Sequence, residues 1–170
     1  MTNIYYIIIL SIIIIGLGLG LGLGLGLKKN KVKNMKYDKL FVIGFNKTGT
    51  TSIHDLLSSL DINTSHAASK NFVLKNIDKY DAFTDGYHYN FIEYYKLYPN
   101  SLFILNTRPI YKWLVSRYKH GKYHNFKKSW CWPVSNDKTF SWIENREKHY
   151  NNILNFFSDK PEKLLIVNIE

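Results

Sequence analysis

One stretch, KLFVIGFNKTGTTSIHDLL from Lys39 to Leu57, constrains the fold more than any other part of the chain. Leu40, Phe41, Val42 and Ile43 form a short continuous apolar run, the pattern of a strand covered on both faces. Gly44 and Gly49 mark a polar loop with Lys47, Thr48, Thr50 and Thr51. A helical pattern begins at Ser52, with Ile53, Leu56, Leu57 and Leu60 on one face. In such a strand–loop–helix, backbone N–H groups converge where the positive end of the helix points, and Lys47 adds a full charge. The predicted ligand is an anion, most naturally a phosphate.

The rest of the chain alternates in the same way. Ile62–Ala67 is a short predicted strand ending near His66, and Phe72, Leu74, Ile77 and Tyr80 space as a helix. Ala82–Gly86 is a third strand and Phe91–Leu97 a helix. Ser101–Thr107 is the clearest later strand. Pro109 opens the next helix, where its missing N–H costs nothing, and that helix runs to about His120. After an aromatic loop with Trp130, Cys131, Trp132 and Pro133, a long helix spans Phe140–Phe157 with Trp142, Ile143, Tyr150, Ile153, Leu154 and Phe157 inward. Leu164–Ile169 is a final buried strand. The fold class is therefore α/β, a parallel sheet with flanking helices and with ligands at the carboxyl ends of the strands. The length of 170 residues fits one domain, taken as 39–170.

A second constellation lies in FILNTRPIYKWLVSRYKH. Arg108 leaves the strand at the ligand edge, and Ser116 lies two turns along the following helix. A guanidinium meets phosphate as a planar fork, and a serine hydroxyl adds a donor. Asp85 ends the third strand between the two phosphate motifs. A base for an acceptor proton would come from Asp85, His66 or His88, ranked in that order. His54, His120, His124 and His149 read as surface or helix residues.

The loop lacks the Gly-Lys-Ser/Thr order of nucleotide triphosphatases, because Lys47 precedes Gly49 by two residues. Lys47-Thr48-Gly49-Thr50-Thr51-Ser52 instead resembles the 5′-phosphosulfate loop of the sulfotransferase family. Arg108 and Ser116 have the spacing with which that family holds the donor's 3′-phosphate. Tyr80-Asp81-Ala82, Tyr98-Pro99 and Thr107-Arg108-Pro109 match its layout. Three departures stand out. Asn46 occupies a position that is proline or arginine in many members, Ser52 one that is tryptophan in cytosolic members, and Pro109 follows Arg108 directly.

The resemblance implies a P-loop-like sulfotransferase fold and transfer of a sulfuryl group from 3′-phosphoadenosine 5′-phosphosulfate to a hydroxyl or amine, carbohydrate acceptors included. Lys47 would neutralise the bridging oxygen. Thr50, Thr51, Ser52 and the N–H groups of Thr48 and Gly49 would hold the 5′-phosphate, and no metal is called for. It also implies a segment beyond the last strand, so a chain ending at Glu170 is expected to be a shortened form. Two other classes stay open: a membrane-anchored module that binds nucleotide without turnover, and a P-loop kinase-like phosphotransferase, which magnesium-dependent nucleotide hydrolysis would reveal.

Ile4–Leu27 carries no charge and is long enough to cross a bilayer as a helix of ~20 residues. No Lys or Arg precedes it, as a cleaved signal peptide would want. A single-pass anchor over 1–27 is expected, with a lysine-rich linker over 28–38. Of the net charge of +10, six lysines from Lys28 to Lys39 against Asp38 supply five. The positive-inside rule then puts the domain in the cytoplasm, whereas the resemblance to Golgi-type enzymes puts it in the lumen. A single cysteine, Cys131, and the glycosylation sequon Asn46-Lys47-Thr48 inside the phosphate loop lean towards the cytoplasm. The remaining charge suits a polyanionic donor drawn in by field focusing. No nucleic-acid motif is present.

Overall fold

The computed structural model describes residues 37–66, 69–85, 90–123 and 135–169, of 121–123 the backbone only. Contacts divide the chain into Met1–Lys33 and Asn34–Glu170. The expected anchor, the linker up to Lys36, His88 and the aromatic loop with Trp130 and Trp132 lie outside the described residues. Among the described residues no helix is long and apolar enough to cross a membrane.

The elements in order are β1 (Leu40–Val42), α1 (Thr50–Ser59), β2 (Thr64–His66), α2 (Lys70–Lys75), a 3-10 turn (Ile77–Lys79), β3 (Ala82–Thr84), α3 (Phe91–Leu97), β4 (Leu102–Thr107), α4 (Ile110–Tyr123), α5 (Asn136–Phe156), a second 3-10 turn (Pro161–Lys163) and β5 (Leu164–Asn168). All strands run parallel in the order β2-β3-β1-β4-β5. The chain moves from β1 outward to β2, returns to β3, then crosses over β1 to lay down β4. That reversal opens a crevice at the carboxyl ends of β1 and β4, the place where such sheets bind ligands.

Both faces of the sheet are covered, as the unbroken apolar run of β1 predicts. Leu40 and Val42 face Ile53 and Leu57 of α1, together with Ala82 and Ile104. Phe41 and Ile43 face the other way, into a larger cluster with Phe83, Phe103, Tyr94, Trp113, Ile153 and Phe157. Phe41 stacks on Tyr94 at 4.7 Å and on Phe103 at 5.4 Å between ring centroids. Each fully buried apolar side chain of this size stabilises by about 1.5–3 kcal/mol.

Some sequence expectations need correction. α1 begins at Thr50, two residues before Ser52, and its buried stripe is narrow: Leu56 and Leu60 are 57% and 52% exposed. Only Ile53 and Leu57 reach the sheet. The helix expected from Phe72 breaks after Lys75 into the 3-10 turn and buries Val73 rather than Phe72. Leu154 faces solvent from α5. β5 is an edge strand, paired on one side only, with Ile166 exposed.

His149 is no surface residue. It is 2% exposed on α5, and its Nε2–H donates to the carbonyl of Ile43 at 2.8 Å. Burial holds its pKa below the usual 6.5, with the Ile43 bond pulling the other way. The unfolded chain takes up a proton near 6.5 that the native imidazole accepts only at lower pH. This contribution is therefore whole above 6.5 and lost as pH falls below it. We predict that His149→Leu lowers stability by about 1–3 kcal/mol at pH 7.5, since it strands a buried carbonyl. It should also remove part of the loss between pH 7 and 5. Urea melts of both proteins across that range test this, and an unaltered pH dependence would count against it.

Candidate functional site

The loop after β1 is fixed by one buried side chain from β4. Asn106, fully buried, accepts from the Gly44 N–H through Oδ1 at 3.0 Å. Its Nδ2 donates to the Thr48 carbonyl at 3.1 Å and to Thr48 Oγ1 at 2.7 Å. The Thr48 hydroxyl in turn donates to the Phe45 carbonyl. Gly44 is required by close approach: a Cβ there would sit 2.1 Å from Asn106 Oδ1 and 2.2 Å from its carbonyl oxygen. Gly49 is required twice over, by φ +89° and by a Cβ position 2.7 Å from Ile169 Cδ1. Lys47 itself adopts φ +65°, an uncommon conformation for a residue with a side chain.

α1 starts directly after Gly49, and no side chain caps it. The first N–H groups of a helix have no intrahelical partners, so this start is open to an anion. Thr51 and Ser52 are exposed there, whereas the side chains of Thr48 and Thr50 are buried. Thr48 acts through the internal bonds just described. With Thr48 buried and the Asn46 side-chain oxygen bound to Arg117 Nη1, the sequon is folded into the loop rather than displayed.

Arg108 meets this loop from β4. Its Nη1 lies 3.5 Å from the Lys47 carbonyl, and its own carbonyl accepts from Arg146 Nη2 at 2.7 Å. Arg108 Nε is buried without a hydrogen-bond partner. Such an orphaned donor is uncommon, and a phosphate oxygen is the acceptor that a guanidinium edge fits. Ser116 lies half-buried on α4. Among the described residues no hydrogen bond joins it to Arg108.

At the far side of β1, the ends of β2 and β3 bring two of the base candidates together. His66 Nε2 lies 3.3 Å from Asp85 Oδ2, and His66 Nδ1 lies 2.9 Å from Thr84 Oγ1. Register pairs His66 with Thr84. Asp85 follows at φ +53°, and the His54 ring of α1 stands 5.5 Å from that of His66. Among the described residues no group of three or more His, Cys, Asp or Glu side chains could hold a metal ion.

A family model described as "Sulfotransferase domain" matches residues 67–165, more than half of the chain. This chain belongs to the sulfotransferase family. The matched span takes in Asp85, Arg108 and Ser116, while Lys47 and His66 precede it. No curated protein matches the chain.

Four residues of this sulfotransferase domain escape a reading of the sequence. Asn106 is a lone polar letter inside an apolar strand, a signal that could have found it. Arg117, Arg146 and His149 sit on helices at core-facing positions, at 3%, 6% and 2% exposure. Charged or titratable residues at such positions must have partners, but nothing in the sequence says which.

Proposed function

We propose that the domain transfers a sulfuryl group from 3′-phosphoadenosine 5′-phosphosulfate to a hydroxyl or amine acceptor. The single observation that carries this reading is the meeting of Arg108 with the Lys47 loop at the crevice between β1 and β4. A site for a nucleotide with phosphates at both its 5′ and 3′ positions needs two anion holders that converge. The donor supplies an activated sulfuryl group whose sulfur–oxygen bond to the 5′-phosphate breaks as the acceptor's bond to sulfur forms. Thr51, Ser52 and the N–H groups at the start of α1 hold the 5′-phosphate. Lys47 offsets the charge that develops on the oxygen left behind, and Arg108 with Ser116 holds the 3′-phosphate. The acceptor proton passes to Asp85, supported by His66. As in phosphoryl transfer, positioning and charge stabilisation are the protein's main tasks. Ile4–Leu27 anchors the domain to a membrane through the lysine-rich linker 28–38.

Lys47→Ala is expected to cut transfer by about a hundredfold or more while the protein still unfolds cooperatively; turnover close to wild type would remove Lys47 from the mechanism.

Arg108→Ala separates the 3′-phosphate from the rest of the nucleotide. A charge-assisted bond contributes roughly 1.5–3 kcal/mol, so 3′-phosphoadenosine 5′-phosphate should bind about ten- to more than a hundredfold more weakly. Adenosine 5′-phosphate, lacking the 3′ group, should bind almost unchanged. Calorimetry with both ligands decides, and equal weakening of the two would show that Arg108 does not read the 3′-phosphate.

The anchor should keep the full chain in the membrane fraction through alkaline carbonate extraction. Release into the supernatant would rule out an integral anchor.

A further inference from the structure

Asn46, the residue before Lys47, is held at both of its oxygens by one helix. Its carbonyl accepts from Trp113 Nε1 at 2.9 Å, and its side-chain Oδ1 accepts from Arg117 Nη1. Trp113 and Arg117 are four residues apart on α4 and so share a face. Neither can yield easily. Trp113 is fully buried, and its ring meets Phe45 edge-on at 5.8 Å. The Arg117 guanidinium lies 4.3 Å from the Trp142 ring centroid, 5.1 Å from that of Trp113 and 5.7 Å from that of Phe45. A planar, weakly hydrated guanidinium is the cation suited to such an aromatic cage.

The consequence concerns Lys47. Its positive φ sits between two fixed points, Asn46 on α4 and Thr48 on Asn106. A residue with a side chain stays in that conformation only where its surroundings determine it. The helix that grips Asn46 is also the one that carries Ser116.

We propose that Asn46 is a positioning residue that couples the 5′-phosphate loop to α4, so that the two ends of the donor are read by one rigid body. The coupling deepens the donor assignment given above and rests on it only for the ligand. The mechanical link stands without ligand and can be measured without it.

The first measurement is native-state hydrogen exchange on the full chain, comparing wild type with Asn46→Ala and Trp113→Phe. The first variant removes the Oδ1 acceptor with the rest of the carboxamide; the second removes the indole N–H and part of the ring volume but keeps an aromatic ring, should the first fold poorly. Amides of residues 44–49 and of 110–117 should exchange faster together, with those of β3 unchanged. Wild-type exchange in either stretch overturns the clamp. The second measurement is a double-mutant cycle of Asn46→Ala with Ser116→Ala, read by calorimetry with 3′-phosphoadenosine 5′-phosphate. With the loop no longer pre-ordered, binding must order it, which predicts about two- to tenfold weaker binding for Asn46→Ala. Ser116→Ala should then cost less in that background than in wild type, because the two residues act through one body. Strictly additive losses overturn the coupling. If the wild type binds no 3′-phosphoadenosine 5′-phosphate but loop and helix loosen together in the variants, the clamp stands and the donor assignment falls instead.

Discussion

The hydrogen bonds of Asn106 are the interaction on which the site depends. A buried amide must find partners for one oxygen and two N–H groups, and all three are satisfied by Gly44 and Thr48 of one loop. Its carbonyl also accepts from the Tyr150 hydroxyl of α5 at 3.3 Å. The placement follows from register. β1 and β4 align Phe41 with Phe103 and Val42 with Ile104, and continuing that pairing brings Gly44 beside Asn106. The amide therefore acts where β1 ends, at the moment when the chain loses the sheet as a source of backbone partners. Replacing it with an apolar residue would leave a buried N–H and a buried carbonyl without partners, at about 1–3 kcal/mol each.

Four cations gather at this end of the sheet, and burial divides them into two pairs. Arg117 and Arg146 are nearly inaccessible. They bond Asn46 and the Arg108 carbonyl and stack on Trp113, Trp142 and Tyr150. Their charges hold backbone and aromatic rings in place. Lys47 and Arg108 are half-buried and meet through Arg108 Nη1 and the Lys47 carbonyl, and they are the pair that the proposed transfer assigns to the donor's phosphates.

The parts legible in the sequence are those fixed by neighbours. The apolar runs at Leu40–Ile43 and Leu102–Leu105, Pro109 before α4, and the glycine-bounded loop all depend on residues within a few positions. The parts that were not legible depend on distant partners. Asn106 bonds a residue 58 positions away, Arg117 one 71 away, and His149 one 106 away. The apolar face of α1 shows the same limit. Leu56 and Leu60 continue its helical spacing, yet the sheet beneath is reached by Ile53 and Leu57 alone. Periodicity gives the direction of a buried stripe but not its width, which the partner surface sets. β5 is read as buried for a related reason: an apolar edge strand and an apolar central strand share one pattern.

The His66–Asp85–Thr84 cluster shows what geometry adds to a ranked list of bases. His66 has both ring nitrogens engaged, so it has no nitrogen left for an acceptor substrate. Nε2 faces the Asp85 carboxylate and Nδ1 faces the Thr84 hydroxyl, whose oxygen also lies 3.5 Å from the Ser65 carbonyl. Asp85 meets His66 through Oδ2, and its side chain is 36% exposed against 33% for that of His66. The positive φ of Asp85 belongs with this arrangement, because it turns the chain immediately after Thr84 while the carboxylate stays at the β2–β3 edge. Of the two candidate bases among the described residues, the carboxylate is the slightly more exposed, and in the proposed transfer Asp85 takes the acceptor proton with His66 in support.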